Sequence, residues 1–147
     1  MNKNGVLIIE DDREMCEELA EILKLEGYRV GQANDGIEGR RLFESGEYGL
    51  ILLDLKLPGM SGSELLRYIK KNSSAMVMVI TGKPLSGELR EILKPDDREE
   101  KNALELADGL AEKPFNIEAV LKQIRKLIRR RPPAAGESGF REQRRDA

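Results

Sequence analysis

Acidic side chains follow two apolar runs of this 147-residue sequence. Glu10, Asp11 and Asp12 come directly after one run, and Asp54 comes directly after another. The carboxyl ends of neighbouring parallel strands meet at one edge of a sheet, so we expect these acids to converge there. Two like charges about 4 Å apart repel by about 4 kcal/mol at an effective dielectric of about 20. A divalent cation would relieve that repulsion.

The types of side chain at this edge indicate which ion and which reaction would suit it. The chain has no histidine and one cysteine, and oxygen ligands without imidazole or thiolate favour a hard ion. A site with room for water and a phosphoryl oxygen favours Mg²⁺. Thr81 ends a third apolar run, and Lys113 follows a short predicted strand. Their donor groups would bind the remaining oxygens of an anion, which makes Asp54 a reasonable nucleophile toward phosphorus.

Composition excludes several classes of protein. Without histidine, the chain cannot use a Ser-His-Asp or Cys-His mechanism, build a histidine-ligated zinc site, or carry a phosphohistidine itself. The net charge of −2 argues against non-specific binding of nucleic acid, and the short apolar runs argue against a membrane span. One cysteine and no hydrophobic leader after Met1 predict a protein of the reducing cytoplasm.

Segments typical of strands alternate with segments typical of helices. Continuous apolar runs indicate strands buried on both faces, and their alternation with helical patterns predicts right-handed βαβ units. The expected fold is therefore an α/β fold, with a parallel sheet covered by helices on both faces. The predicted strands are residues 6–9, 28–30, 50–53, 76–80 and 109–112.

Capping residues mark the predicted helices. Asp12 is interpreted as the cap of a helix that stops at Gly27, with Cys16 as a small core residue beside its apolar stripe. A short helix opens after residues 35–36, and Ser61 begins another helix with a capping box. The last helix follows a cap at Asn116 and must end by residue 131, because two prolines come next.

Four pieces of the sequence, each at the end of a predicted strand, resemble the receiver domain of two-component response regulators. The pieces are residues 7–12, 53–62, 79–82 and 113–115. Each piece alone is weak, but four in this order are highly specific, and the resemblance runs from residue 6 to about residue 130. It implies a doubly wound, flavodoxin-like sheet of five parallel strands in the order 2-1-3-4-5, with helices on both faces.

The resemblance also assigns a role to each acid. It implies that Asp54 is the phosphoacceptor and that Mg²⁺ binds beside it. Asp11 would bind the ion directly, and Glu10 would act mainly through water. The backbone carbonyl of Lys56 would complete the ligands from the protein.

The donors beside the phosphoryl group follow from the same resemblance. Thr81 would hydrogen-bond the aspartyl phosphate, and Lys113 would pair with it. Lys56 and Lys83 lie two residues after Asp54 and Thr81. Their ammonium groups either shield the acyl phosphate from water or are ordinary exposed side chains, and the sequence favours neither reading.

Two features depart from the family pattern. The stretch between Thr81 and Lys113 is longer than the usual crossover, which indicates an insertion near residues 94–102, between a short helix at 86–93 and a second helical piece at 97–107. Leu110 stands where the family usually has a tyrosine or phenylalanine whose rotamer reports phosphorylation. An aliphatic side chain cannot make that ring movement. We therefore do not assume the dimer that the family commonly forms through its output face, which includes the fourth helix and this position.

These patterns predict a receiver domain at residues 4–131 and a flexible tail at 132–147. The donor would be a histidine kinase or a phosphotransfer protein, and the signal would pass to an unknown downstream protein by direct contact, without nucleic acid or membrane. The protein would not be an enzyme beyond its own phosphorylation and dephosphorylation. One alternative is a phosphorylation-independent interaction module. A second is a phosphatase of the haloacid dehalogenase type, although Lys56 stands where those enzymes need a second aspartate.

Overall fold

The described residues form five strands and four helices, which alternate along the chain as far as the fourth strand. The computed structural model describes residues 5–58, 60–82, 105–113 and 116–130. The strands are β1 (Gly5–Ile9), β2 (Arg29–Ala33), β3 (Leu50–Asp54), β4 (Met76–Thr81) and β5 (Gly109–Glu112). The helices are α1 (Arg13–Leu25), α2 (Gly36–Ser45), α3 (Gly62–Asn72) and α4 (Ile117–Arg130).

The strands form one parallel sheet in the order β2-β1-β3-β4-β5, which confirms the predicted topology. The bounds of β2 differ from the prediction, because the strand runs to Ala33 rather than ending at Val30. Gly31 and Gln32 have little preference for strands. They are extended because β1, which is buried along its whole length, pairs with them in register.

Alternate residues of the strands point to opposite faces of the sheet, and each face has its own core. One core combines Ile8 of β1 and Leu52 of β3 with apolar residues of α1 and α4, among them Cys16, as predicted. The other core combines Leu7 and Leu53 with residues of α2 and α3. Each fully buried aliphatic side chain contributes about 1.5–3 kcal/mol. Burial on both faces therefore holds the carboxyl ends of β1 and β3 side by side.

Side-chain caps begin the helices as the sequence predicts. Each cap oxygen accepts from a backbone N–H in the first turn, which replaces a bond that the helix itself cannot supply. The cap oxygens and their donors are Asp12 with Met15 at 3.1 Å, Asp35 with Glu38 at 2.7 Å, Ser61 with Glu64 at 3.3 Å and Asn116 with Ala119 at 3.1 Å. Gly27, the predicted stop of α1, has a φ of 100°, a conformation that glycine adopts without strain.

Several predictions fall outside the described residues. They include the helix at 86–93, the insertion near 94–102, Lys83 and the tail at 132–147. The helical piece predicted at 97–107 is described from residue 105 onward, where the chain forms a turn instead of a helix. No helix in the described part of the chain is both long and apolar enough to cross a bilayer.

Candidate functional site

Three carboxylates meet at the carboxyl edge of the sheet. Glu10 follows β1, Asp54 ends β3, and the pairing of Ile9 with Leu53 brings the two strand ends together. One carboxylate oxygen from each of Glu10, Asp11 and Asp54 lies within 4.8 Å of the others. The predicted convergence is therefore confirmed for these three acids, whereas Asp12 caps α1, and a group of this composition could hold a metal ion.

Glu10 lies in the least hydrated part of this cluster. Its side chain is fully buried, Asp54 is 3% exposed, and Asp11 is exposed. Burial is the main reason that the pKa of Glu10 is raised from 4.5 to about 7, and the nearby Asp54 raises it further. The backbone N–H of Asp12, which donates to Glu10 Oε2 at 3.0 Å, and the Lys113 ammonium oppose that rise.

Lys113 bridges the two buried acids. Its Nζ lies 2.9 Å from Glu10 Oε1 and donates a hydrogen bond of 3.1 Å to Asp54 Oδ2. Burial lowers the pKa of Lys113, but its contacts with Glu10 and Asp54 outweigh burial and raise the pKa overall. The contact with Glu10 is an ion pair between a buried carboxylate and a largely buried ammonium. Glu10 Oε1 is therefore a buried carboxylate oxygen that faces the Lys113 ammonium.

The loop between β3 and α3 holds the other oxygen of Asp54. The backbone N–H of Lys56 donates to Asp54 Oδ1 at 3.0 Å, so both Asp54 oxygens accept a hydrogen bond from described residues. Gly62, the first residue of α3, donates its N–H to Leu55 O at 3.3 Å. A Cβ on Gly62 would lie 2.6 Å from that oxygen, so only glycine lets the helix approach this loop so closely.

Thr81 and Leu110 are placed by the pairing of β3, β4 and β5. Asp54 pairs with Ile80, so the backbone of Thr81 comes one residue further along the same edge. The side chain of Thr81 lies outside the described part. Leu110 is on β5 opposite Val79 and is 38% exposed.

Asn34 supports the site although the sequence interpretation did not include it. Its Nδ2 donates to the backbone carbonyl of Glu10 at 2.9 Å, and the N–H of Glu10 donates to Ala33 O at 3.0 Å. Both bonds hold the peptide groups of Glu10 against the end of β2. The true end of β2 would have identified Asn34 from the sequence, because a strand that runs to Ala33 places Asn34 at the same edge of the sheet as the acids.

Sequence comparison places these residues in a known family. The model of the response regulator receiver domain matches residues 6–125. A relative named "Transcriptional regulatory protein CpxR homolog" from Haemophilus influenzae is 38% identical over 127 residues, which are 85% of this chain and 50% of that protein. "Regulatory protein VanRB" from Enterococcus faecalis is 32% identical over 132 residues, which are 90% of this chain and 56% of that protein. The chain thus spans about half the length of these relatives.

Solved structures agree with the sequence comparison. A CheY-like response regulator receiver domain protein from Methanospirillum hungatei has a TM-score of 0.72 and 30% identity, over 87% of this chain and 95% of that one. The response regulator TrrA from Thermotoga maritima, solved in complex with Mg²⁺-BeF, has a TM-score of 0.67 and 30% identity, over 84% of this chain and 98% of that one. The chain therefore belongs to the response regulator receiver domains of two-component signalling.

Proposed function

We propose that Asp54 is the residue of this receiver domain that accepts the phosphoryl group. The observation that carries this proposal is the position of its carboxylate, which is almost buried, lies within a cluster of three acids, and is held by Lys113 and the Lys56 N–H. A carboxylate oxygen of Asp54 attacks the phosphorus of a phosphoimidazole. The P–N bond breaks, and its electron pair stays on the imidazole nitrogen of the donor.

We propose Mg²⁺ as the ion that this site takes. The donor set supports the proposal because it consists of oxygens and because the exposed Asp11 leaves access for water. In addition, the buried carboxylates of Glu10 and Asp54 share the Lys113 ammonium, so the three acids carry more negative charge than this lysine balances. Glu10, Asp11, Asp54 and the backbone carbonyl of Lys56 would hold the ion. When bound, Mg²⁺ would neutralise charge on the transferring phosphoryl group.

Lys113 and Thr81 are proposed to bind the phosphoryl oxygens. The Lys113 ammonium already donates a hydrogen bond to Asp54 Oδ2. A charge-assisted hydrogen bond from this ammonium to a phosphoryl oxygen would replace the bond to the carboxylate. Thr81 comes directly after Ile80, which pairs with Asp54 in the sheet. This position supports the predicted hydrogen bond from Thr81 to the phosphoryl group.

The phosphoryl donor is proposed to be a histidine kinase or a histidine phosphotransfer protein. The chain has no histidine of its own, so the phosphoimidazole has to come from another molecule. We propose that the receiver occupies residues 4–131 and acts in the cytoplasm as a phosphoacceptor rather than as an enzyme toward other substrates. Two-component relatives include proteins named transcriptional regulators. Signalling without direct contact to nucleic acid therefore stays a prediction for this chain.

Intact-protein mass spectrometry tests this function directly. The protein is incubated with Mg²⁺ and acetyl phosphate, and we expect one added phosphate that is absent in Asp54→Asn. Asp12→Asn is the matched control, because asparagine retains the cap of α1 and Asp12 is outside the three-carboxylate cluster. The control should accept phosphate as the wild type does. No adduct on the wild type would contradict the proposal and favour a phosphorylation-independent interaction module, and an adduct that persists in Asp54→Asn would place the acceptor elsewhere.

A further inference from the structure

β5 leads directly to Lys113, yet little apolar burial holds this strand in register. In the described sheet β5 is an edge strand and pairs with β4 over four residues. Ala111 packs against a core, whereas Leu110 is 38% exposed. The register of a strand is normally set by the apolar side chains that must face the core, and one alanine methyl discriminates poorly between registers. Other contacts therefore have to specify where β5 begins.

Asp108, the residue before β5, makes these contacts. Its backbone N–H donates to Val77 O at 2.7 Å, and its Oδ2 accepts from the Val77 N–H at 2.8 Å. One residue therefore binds both main-chain polar groups of Val77. Lys70, near the end of α3, donates to the same Oδ2 at 2.8 Å and to Ala75 O at 3.3 Å. The side chains of Lys70 and Asp108 are only 23% and 25% exposed, so this ion pair is largely shielded from water.

We propose that Asp108 is a positioning residue for Lys113. Its carboxylate, held by Lys70, sets the start of β5 and so places the Lys113 ammonium against Glu10 and Asp54. A slip of one residue would move the strand by about 3.3 Å and turn each side chain to the other face. The contacts of 2.9 and 3.1 Å made by Lys113 Nζ would then be lost. This inference rests on the proposed function only for the part that Lys113 takes in phosphorylation.

The affinity for Mg²⁺ reports the position of Lys113 without any phosphorylation. An ammonium beside the acids repels a cation, so displacing it strengthens Mg²⁺ binding. We expect Asp108→Ala to bind Mg²⁺ roughly threefold or more tightly than the wild type. The titration is followed by NMR at the amides of Asp12 and Lys56, which donate to Glu10 Oε2 and Asp54 Oδ1.

Conservative variants separate positioning from general loss of structure. Asp108→Asn retains an oxygen that can accept from the Val77 N–H, so its Mg²⁺ affinity should return toward the wild-type value. Lys70→Met removes the partner of the carboxylate and should tighten Mg²⁺ binding in the same direction as Asp108→Ala. Weaker or unchanged Mg²⁺ binding in a folded Asp108→Ala would overturn the proposal. If Asp108→Ala does not fold, Lys70→Met decides, and a wild-type Mg²⁺ affinity in that variant would overturn it.

A double-mutant cycle tests whether Asp108 acts through Lys113. Phosphorylation from acetyl phosphate is timed in Asp108→Ala, in Lys113→Ala and in the double variant. We expect both single changes to slow the reaction and the double change to slow it no further than Lys113→Ala does. Effects that multiply would overturn the proposal, because they would show that Asp108 acts independently. Absence of any adduct on the wild type would contradict the proposed function alone, and the Mg²⁺ titration would still decide the role of Asp108.

Discussion

Replacing Glu10 with glutamine tests the electrostatics of the buried acid cluster. Glu10 is fully buried, and its pKa is raised from 4.5 to about 7, chiefly by burial. That difference corresponds to about 3 kcal/mol by which folding disfavours the ionised form. Glutamine has the same shape without the charge. In metal-free protein at about pH 8, we therefore expect Glu10→Gln to be more stable than the wild type by about 2–3 kcal/mol.

The raised pKa of Glu10 also determines how the stability difference between the two proteins changes with pH. Below about pH 4.5, Glu10 is protonated in the folded and unfolded states, and the two proteins should have similar stability. Between about pH 4.5 and pH 7, the unfolded chain has released the proton that the folded protein still holds. The wild type therefore loses stability as the pH rises through this interval, and the glutamine variant does not. Saturating Mg²⁺ should reverse the order at about pH 8, because a ligand of the folded state stabilises it and the variant has lost one carboxylate.

Urea unfolding in EDTA, at several values between about pH 5 and pH 8, measures this difference. Asp12→Asn is the matched control, since it also changes a carboxylate to an amide but on an exposed side chain that keeps its cap. The control should not reproduce the growing advantage of Glu10→Gln. A stability difference between Glu10→Gln and the wild type that is the same at both ends of this pH range would refute the reasoning.

Three further predictions follow from packing. Gly62→Ala should cost about 1–3 kcal/mol and slow phosphorylation of Asp54, because its Cβ would lie 2.6 Å from a backbone oxygen of the loop that follows the acceptor. A Cβ on Gly82 would meet no atom of the described residues within 4 Å, so Gly82→Ala should be nearly neutral in the same urea and phosphorylation assays. Cys16 is buried and its thiol pKa is raised by burial, so iodoacetamide should label this single cysteine only as fast as the protein unfolds, and rapid labelling of the native protein would contradict its burial. Ile124 is a core residue of α4, and Ile124→Ala should cost about 2–5 kcal/mol in urea unfolding. Arg125→Ala removes an exposed ion pair with Glu26 and should change stability little. Equal losses in the two variants would contradict the burial pattern.

Sequence patterns predicted the fold well wherever one signal dominates. Continuous apolar runs located β1, β3 and β4, and alternation with helices required the parallel sheet. Caps such as Asp12 and Ser61 are local, because the side chain and the amide it binds are three residues apart. β2 was predicted too short because Gly31 and Gln32 take their conformation from pairing with β1, which is not a local property.

The sequence by itself places a reactive residue at the end of each of four strands, namely Glu10, Asp54, Thr81 and Lys113. Because the strands are parallel, these four residues share one edge of the sheet. Only the tertiary structure decided that Glu10 is fully buried and that its pKa is raised to about 7. It also decided that Lys113 contacts both buried acids, and that a carboxylate before β5 is bound to Val77 and Lys70. These properties depend on burial and on contacts between residues far apart in the chain. Spacing along a sequence records neither quantity, because both are set by the packing of the sheet and its helices.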